Sequence, residues 1–224
     1  MMTGPQRLEG IKTGWLAPLY RLLDLPHVHS AVQKILTFGG LQASDAILER
    51  VQPGKEDRLL DVGCGPARYA SLFPCAYVGL DFNESFLQHV RKNREAARPD
   101  RLFSLVRGKS ALLSFKSGTF HYVVCINILH HMPEHDALAT LHEMKRVLKK
   151  MGRVLVVENI FPVNRFNILG RAIFALDRGR YTRTGEELER LLSSAGYRQS
   201  SYQQSASQTF PHERRVYEFE GGAS

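Results

Sequence analysis

The stretch RLLDVGCGPARYASLF at 58–73, followed by YVGLDFN at 77–83, decides the fold of this chain. Its leading apolar residues predict a buried β-strand that runs into a turn holding Gly63 and Gly65. A short helix is expected after the turn, and the second stretch predicts a strand that ends at Asp81. This order of strand, glycine turn, helix and acid-ended strand is the layout of a nucleotide-binding βαβ unit.

Each residue type in this unit has chemistry that suits a nucleotide. Gly63 and Gly65 let the backbone approach a ligand where a Cβ atom would collide, and the N-terminus of the helix expected over 66–73 favours an anionic group such as a carboxylate. Asp81 lies eighteen residues after Gly63, where it can accept hydrogen bonds from both hydroxyls of a ribose. Asp61, just before the turn, is expected either to hydrogen-bond within the turn or to contact the ligand.

The turn does not fit two common nucleotide classes. A dinucleotide fingerprint needs a third glycine three positions after Gly65, and Arg68 stands there. No stretch of the chain reads G-x-x-x-x-G-K-[ST], so a Walker A loop is absent. A nicotinamide-dependent oxidoreductase and a P-loop nucleotidase are therefore disfavoured.

The stretch LDVGCGPAR resembles motif I of the class I S-adenosylmethionine-dependent methyltransferases. The resemblance continues in family order through YVGLDFN, VRGKSALLSF at 106–115, GTFHYVVCINILHHMP at 118–133, GRVLVVEN at 152–159 and TGEELERLLSSAGY at 184–197. Together these blocks span about 55–219. One glycine turn is a weak signal, whereas several blocks in register are a strong one.

The resemblance implies a Rossmann-like, doubly wound α/β fold with a seven-stranded, mostly parallel sheet and an antiparallel closing strand. The alternation of strand and helix patterns from residue 58 onward independently predicts a mostly parallel sheet with helices on both faces. We expect residues 1–54 to form a helical cover and 55–220 the methyltransferase domain, with a substrate-site insertion at 160–183. Ligands should lie beyond the carboxyl ends of the strands, beside the first strand.

Two boundaries in the second half of the chain are read from capping signals. A helix is expected to end in a basic last turn at 149–150, with Gly152 as its C-cap and a strand over 153–158 behind it. Thr184 and Glu187 fit the capping box that begins a later helix.

The resemblance also implies S-adenosyl-L-methionine as cofactor and S-adenosyl-L-homocysteine as product. On that basis the glycine turn, with Asp61, is expected at the cofactor, and Asp81 at its ribose. Phe82 either lies against the adenine ring or belongs to the core. The backbone of Asn127, at the end of the fourth strand, is expected to touch the amino-acid end of the cofactor.

The adenine segment departs from the family pattern, in which an acid often follows the glycine of this loop. Lys109 follows Gly108 here, and an ammonium group offers only donors, so it cannot accept from the adenine amino group. The backbone near Ser110 can read the ring edge, and the Ser110 hydroxyl can accept the amino proton. Lys109 is alternatively a solvent-facing side chain.

Two further residues of the turn differ from common family members. Ala67 stands where many relatives carry glycine, and its small side chain suggests that little depends on the change. Arg68 is open to three interpretations: a pair with an acid, a contact with the methionine carboxylate, or a solvated side chain.

Methyl transfer is an in-line displacement in which the protein aligns the reactants, excludes water and removes a proton where the acceptor carries one. Histidine can act as a base near neutral pH. His131, in the LHH segment, is the candidate base or orienting group, with His130 as the lesser candidate and Tyr20 as an acceptor-side residue of the N-terminal helices. No metal-ligand constellation is found in the sequence.

Within the superfamily the chain looks most like small-molecule methyltransferases of the ubiquinone-biosynthesis type. The insertion at 160–183 mixes apolar residues with arginines and suits an aromatic or lipid-like acceptor that bears an acidic group. An RNA or protein methyltransferase and a non-catalytic binding module stay open as alternatives. The acceptor atom and the oligomeric state are not readable from the sequence.

The composition of the chain indicates which partners and which cellular compartment to expect. The 224 residues have a net charge of +8, concentrated at 91–116 and 160–183, so an acidic small molecule or a nucleic acid is a possible partner. The three cysteines have no C-x-x-C spacing and are expected as buried reduced thiols. With no leader-like or membrane-spanning apolar stretch, a cytoplasmic protein is expected.

Overall fold

The computed structural model describes residues 47, 50–93, 102–162, 166–167, 181–197, 204–209 and 212–221. Most of the expected helical cover and of the insertion at 160–183 lies outside these residues, as does Tyr20.

The described residues form one central sheet. Its strands are β1 (Arg58–Val62), β2 (Ala76–Asp81), β3 (Phe103–Arg107), β4 (Phe120–Ile126), β5 (Leu148–Ile160), β6 (Gln204–Thr209) and β7 (His212–Glu220). The seven strands lie in the order β3-β2-β1-β4-β5-β7-β6. Strands β1 to β5 pair in parallel, and β7 pairs antiparallel with both β5 and β6. The predicted Rossmann-like, mostly parallel fold with an antiparallel closing strand is confirmed.

Within the described residues, the helices whose bounds are defined are α1 (Glu84–Asn93), α2 (Glu134–Val147) and α3 (Gly185–Ser194). The capping box predicted for α3 is present, since Thr184 accepts from the backbone of Glu187 while the Glu187 carboxylate accepts from the backbone of Thr184. Short 3₁₀ turns cover Ala70–Leu72 and Leu129–His131.

Apolar side chains cover both faces of the sheet. On one face, Leu141 and Met144 of α2 and Leu188 of α3 are fully buried against the strands. On the other face, Phe73 and Ile47 are fully buried in a second cluster. Because both faces are covered, polar ligands have access at the carboxyl ends of the strands, where the order reverses between β1 and β4.

The helix predicted over 66–73 is wrong. A series of turns follows β1, and only Ala70–Leu72 forms a 3₁₀ turn. Ala67 has a φ of +50°, in the left-handed region, which a right-handed helix cannot contain. The segment therefore offers no α-helix N-terminus to an anion.

The predicted end of α2 is also wrong. The helix ends at Val147, and residues 149–150, expected as its basic last turn, already belong to β5. Gly152 is not a C-cap: a Cβ atom there would lie 2.7 Å from the backbone oxygen of His121. Because Gly152 has no side chain, β5 can approach β4 closely at the point where their register shifts.

Three further findings concern the described residues. Cys64, Cys75 and Cys125 are buried, as predicted. No helix in these parts of the chain is long and apolar enough to cross a membrane. The same residues contain no cluster of three metal-ligating side chains.

Candidate functional site

The glycine turn is fastened to the end of β2. The backbone amides of Gly63 and Cys64 both donate to the carbonyl oxygen of Leu80, at 2.7 and 3.0 Å. Gly63 and Gly65 have φ values of +71° and +52°, which glycine adopts without steric cost. A Cβ atom on Gly63 would lie 2.5 Å from the Ile128 side chain, whereas one on Gly65 would enter open space. Gly63 is thus required for packing, and Gly65 faces the side on which a ligand can approach.

Asp81 ends β2 directly beside this open space. Its Oδ2 accepts a hydrogen bond from the backbone amide of Gly65 at 2.8 Å, and its Oδ1 accepts from the amide of Asn83 at 2.8 Å. Burial raises the pKa of this carboxyl, and the backbone donors oppose the shift. Each oxygen of an ionised carboxylate can accept a further hydrogen bond, so Asp81 can hold two hydroxyl groups while it fixes the turn.

The Asp61 side chain is buried and hydrogen-bonded to the neighbouring strand β2. It is 2% exposed and accepts a hydrogen bond from the Tyr77 hydroxyl at 2.6 Å. The pKa of Asp61 is raised to about 7, mainly by burial. The charge of Asp81 also raises this pKa, and the hydrogen bond from Tyr77 opposes the rise. The geometry therefore favours the structural alternative for Asp61.

Phe82, Lys109 and Ser110 lie at the ends of β2 and β3. Phe82 is 74% exposed, which excludes the core alternative and leaves its ring available to a ligand. Lys109 is exposed, as its solvent-facing interpretation predicts. The Ser110 hydroxyl lies 3.0 Å from that of Thr140, so it is engaged with α2.

Two residues of α2 hold the adenine segment in place, and sequence reasoning missed both. The Glu143 carboxylate accepts from the amide of Leu113 at 2.7 Å. Arg146 donates to the carbonyl oxygens of Leu113 and Phe115, at 2.9 and 2.8 Å, and pairs with Glu143. Glu143 and Arg146 therefore form a clamp, which ties the loop after β3 to the helix.

Asn127 lies at the end of β4 with a φ of +54°. Its Oδ1 accepts from the amide of Asn159 at 3.1 Å, and the Oδ1 of Asn159 accepts from Nε of Arg214 at 3.2 Å. A polar row thus crosses the carboxyl ends of β4 and β5 and reaches β7.

The two histidines after β4 have different surroundings. His130 is 4% exposed, and its Nδ1 is hydrogen-bonded to the Glu158 carboxylate. The other oxygen of Glu158 accepts from the amide of Leu129 at 3.0 Å. His131 is exposed, and its ring lies 4.1 Å from that of His130 between centroids. His131 is thus the more accessible ring, and His130 is oriented by a carboxylate.

Arg183 fixes the backbone that carries these histidines. Its guanidinium donates to the carbonyl oxygens of Leu129 and Met132, at 2.7 and 3.1 Å. Burial lowers the pKa of Arg183, and the charge of Glu158 counteracts the shift.

The structure brings most predicted site residues to one edge of the sheet. The turn, Asp81 and Phe82 lie at the ends of β1 and β2, while Asn127 and His131 follow β4. Sequence reasoning missed Glu158, Asn159, Arg183 and Arg214. Glu158 and Asn159 carried a readable signal, since they are the first polar side chains after the apolar run of β5; the arginines carried none.

Residues 59–152 match the sequence profile of the family described as "Methyltransferase domain". A demethylmenaquinone methyltransferase of Bacillus cereus (strain B4264) is 36% identical over 118 residues, which are 50% of this chain and 48% of that protein. One from Bacillus anthracis (strain CDC 684 / NRRL 3495) is 35% identical over the same length. The aligned part is about half the length of these curated relatives.

Solved structures share the fold at low sequence identity. The [4+2]-cyclase SpnF superposes with a TM-score of 0.66 at 16% identity, over 83% of this chain and 82% of that one. Phosphoethanolamine N-methyltransferase 2 of Haemonchus contortus, in complex with S-adenosyl-L-methionine, gives 0.62 at 15% identity, over 83% and 53%. Since one of these neighbours is named a cyclase and the other a methyltransferase, the shared fold does not choose the reaction.

Proposed function

We propose that this chain is a class I S-adenosylmethionine-dependent methyltransferase, which transfers a methyl group from S-adenosyl-L-methionine to a small-molecule acceptor. The observation that carries the proposal is the pairing of Gly65 with Asp81. Open space lies in front of the glycine, and the carboxylate beside it keeps acceptor capacity for two ribose hydroxyls.

The remaining cofactor contacts follow from the positions of the candidate residues. The exposed ring of Phe82 packs on the adenine, and the backbone at Lys109 and Ser110 reads its edge, since the Ser110 hydroxyl is engaged with Thr140. The backbone of Asn127 contacts the amino-acid end. Asp61 acts as a positioning residue that joins the end of β1 to β2 through its hydrogen bond with Tyr77.

The turn at Gly65 and the Asp81 carboxylate would hold the cofactor, which would supply an activated methyl group for in-line displacement by the acceptor. The residues around it have to align the acceptor, exclude water and take its proton where it carries one. His131 is the proposed base, because its ring is accessible and a neutral imidazole accepts a proton near pH 7. Tyr20 is proposed at the same side, on the helical cover that the sequence predicts for residues 1–54.

The proposed acceptor is an aromatic or lipid-like metabolite. The relatives named demethylmenaquinone methyltransferase support a ring-bearing acceptor for the matched half of the chain. The insertion at 160–183, with its apolar residues and arginines, is proposed as the part that encloses it.

The test separates cofactor binding from methyl transfer. Titration calorimetry of the full chain with S-adenosylhomocysteine should show binding, and Asp81→Ala should weaken it by roughly 1–3 kcal/mol, the value of charge-assisted hydrogen bonds to two hydroxyls. Absence of binding to the wild type would refute the proposed function.

Methyl transfer is then followed with methyl-labelled cofactor and a panel of phenols, naphthoquinols and amines. His131→Ala should lower turnover and leave the affinity for S-adenosylhomocysteine unchanged. His142, an exposed histidine on α2, provides the matched control His142→Ala. Equal turnover of the two variants would remove His131 from the mechanism.

A further inference from the structure

Arg214 is a buried cation whose pairing is incomplete. It lies on β7 and is 5% exposed. Its Nε donates to the Oδ1 of Asn159 at 3.2 Å, while its Nη1 is buried without a hydrogen-bond partner. No carboxylate pairs with this guanidinium in the parts of the chain that the structure describes.

The incomplete pairing of the Arg214 guanidinium destabilises the folded protein when no ligand is bound. A buried guanidinium loses its hydration, and one amide oxygen replaces little of it. Burial accordingly lowers the pKa of Arg214. Buried charges in proteins are normally paired, so an uncompensated one near the carboxyl end of β5 indicates that a bound anion completes it.

The neighbours of Arg214 add donors and positive charge. Tyr69 is half-buried and lies within electrostatic reach of both Arg214 and Arg68, whose charges oppose the rise that burial causes in its pKa. A phenol and guanidinium groups can all donate hydrogen bonds to an oxyanion.

The position in the sheet separates Arg214 from the proposed cofactor contacts. Arg214 is directly opposite Asn159 in the pairing of β7 with β5, and β5 lies between β7 and the strand that ends at Asn127. Two strand spacings of about 4.8 Å place it roughly 10 Å beyond Asn127. Asp81, at the ribose, lies in the opposite direction along the strand order.

We propose that Arg214 binds an anionic group of the methyl acceptor, a carboxylate or a phosphate. The inference rests on the proposed function and adds the charge of the substrate to it. Arg214 is in this view a specificity-determining residue that recognises the acceptor and leaves the cofactor untouched.

The experiment uses the full chain saturated with S-adenosylhomocysteine. Benzoate, phenyl phosphate and the neutral benzamide are titrated as probes by nuclear magnetic resonance. We expect at least one of the two anions to bind and benzamide to bind more weakly. Arg214→Met, which keeps length and apolar packing, should reduce the affinity for that anion by about 10- to 100-fold.

Arg215→Met is the matched control. Arg215 is the next residue of β7, and its guanidinium lies on the other side of the strand, against Gly185. It is less buried than Arg214, but its Nε, like Nη1 of Arg214, is buried without a hydrogen-bond partner, so the two variants remove comparable nitrogens. This variant should bind the anion as the wild type does.

Two readouts distinguish recognition from a structural role. Arg214→Met should raise the unfolding temperature, because it removes an uncompensated buried charge, and should leave the affinity for S-adenosylhomocysteine within twofold. The proposal is overturned if the variant unfolds at a lower temperature, if it retains anion affinity, or if its cofactor affinity falls. A wild type that does not bind S-adenosylhomocysteine refutes the proposed function instead.

Discussion

At the scale of single residues, alanine in place of glycine at position 67 destabilises the folded chain. The sequence suggested that alanine could replace glycine here with little effect, yet its φ is +50°. A left-handed conformation costs a residue with a Cβ atom roughly 1–2 kcal/mol. The side chain is small enough for the space, but the backbone conformation is unfavourable for any residue except glycine.

Ala67→Gly should therefore raise the free energy of unfolding by about 0.5–1 kcal/mol, after the greater entropy of glycine in the unfolded chain is subtracted. Urea denaturation measures the change. Ala139→Gly, in the regular helix α2, is the control and should lower stability by about 1 kcal/mol. A loss of stability at both positions would contradict the argument.

Gly63 and Gly65 should respond differently to the same change. Gly63→Val drives a side chain into Ile128 and should lower the free energy of unfolding by more than about 2 kcal/mol. Gly65→Val meets open space, so the fold should persist with the smaller cost of a positive φ, while binding of S-adenosylhomocysteine is lost. Denaturation and calorimetry on both variants test this, and intact binding in Gly65→Val would place the cofactor elsewhere.

At the scale of elements, the sequence predicts the boundary of a helix or strand correctly where residues close to that boundary determine it. The capping box at Thr184 and the strand ending at Asp81 were readable because their signals are local. The helix expected after the turn was not, since nothing in the sequence states that Ala67 turns left-handed. The end of α2 at Val147 depends on β5 pairing with β4, a contact between segments distant in sequence.

The clamp of Glu143 and Arg146 is an element-scale device with a measurable effect. Arg146→Met should free the loop after β3, lower stability by roughly 1–2 kcal/mol and weaken binding of S-adenosylhomocysteine, because the adenine segment is no longer held. Amide hydrogen exchange should increase at Leu113 and Phe115. Lys145→Met, at the neighbouring exposed position, is the control. Unchanged exchange in Arg146→Met would show that the loop orders itself.

At the scale of the whole molecule, the candidate site contains buried charged groups, and their burial destabilises the folded chain. Asp61 and Asp81 approach each other on one side of the strand reversal, and Arg214 lies on the other side. Sequence reasoning located the acids, whose strand-end positions are regular, but it could not show that the Arg214 side chain is buried. Such burial depends on the packing of several elements, and no local pattern encodes it.

The buried acids make stability depend on pH. The folded pKa of Asp61 is about 7, above its ordinary value of 3.8, so the folded chain holds a proton that the unfolded chain releases in this range. The stabilisation is complete below pH 3.8 and is lost as the pH rises to about 7. Asp81, whose pKa burial also raises, contributes in the same direction.

Asp61→Asn should remove most of this dependence, since the amide oxygen still accepts from the Tyr77 hydroxyl and carries no charge. Relative to the variant, the wild type should lose roughly 3 kcal/mol of stability between pH 5 and pH 8. The folded chain binds one more proton than the unfolded chain over about two of these pH units, up to the folded pKa. Urea denaturation at both pH values gives the difference. Parallel pH profiles for the two proteins would mean that Asp61 is ionised in the folded chain, and the buried acid would then need a cation beside it.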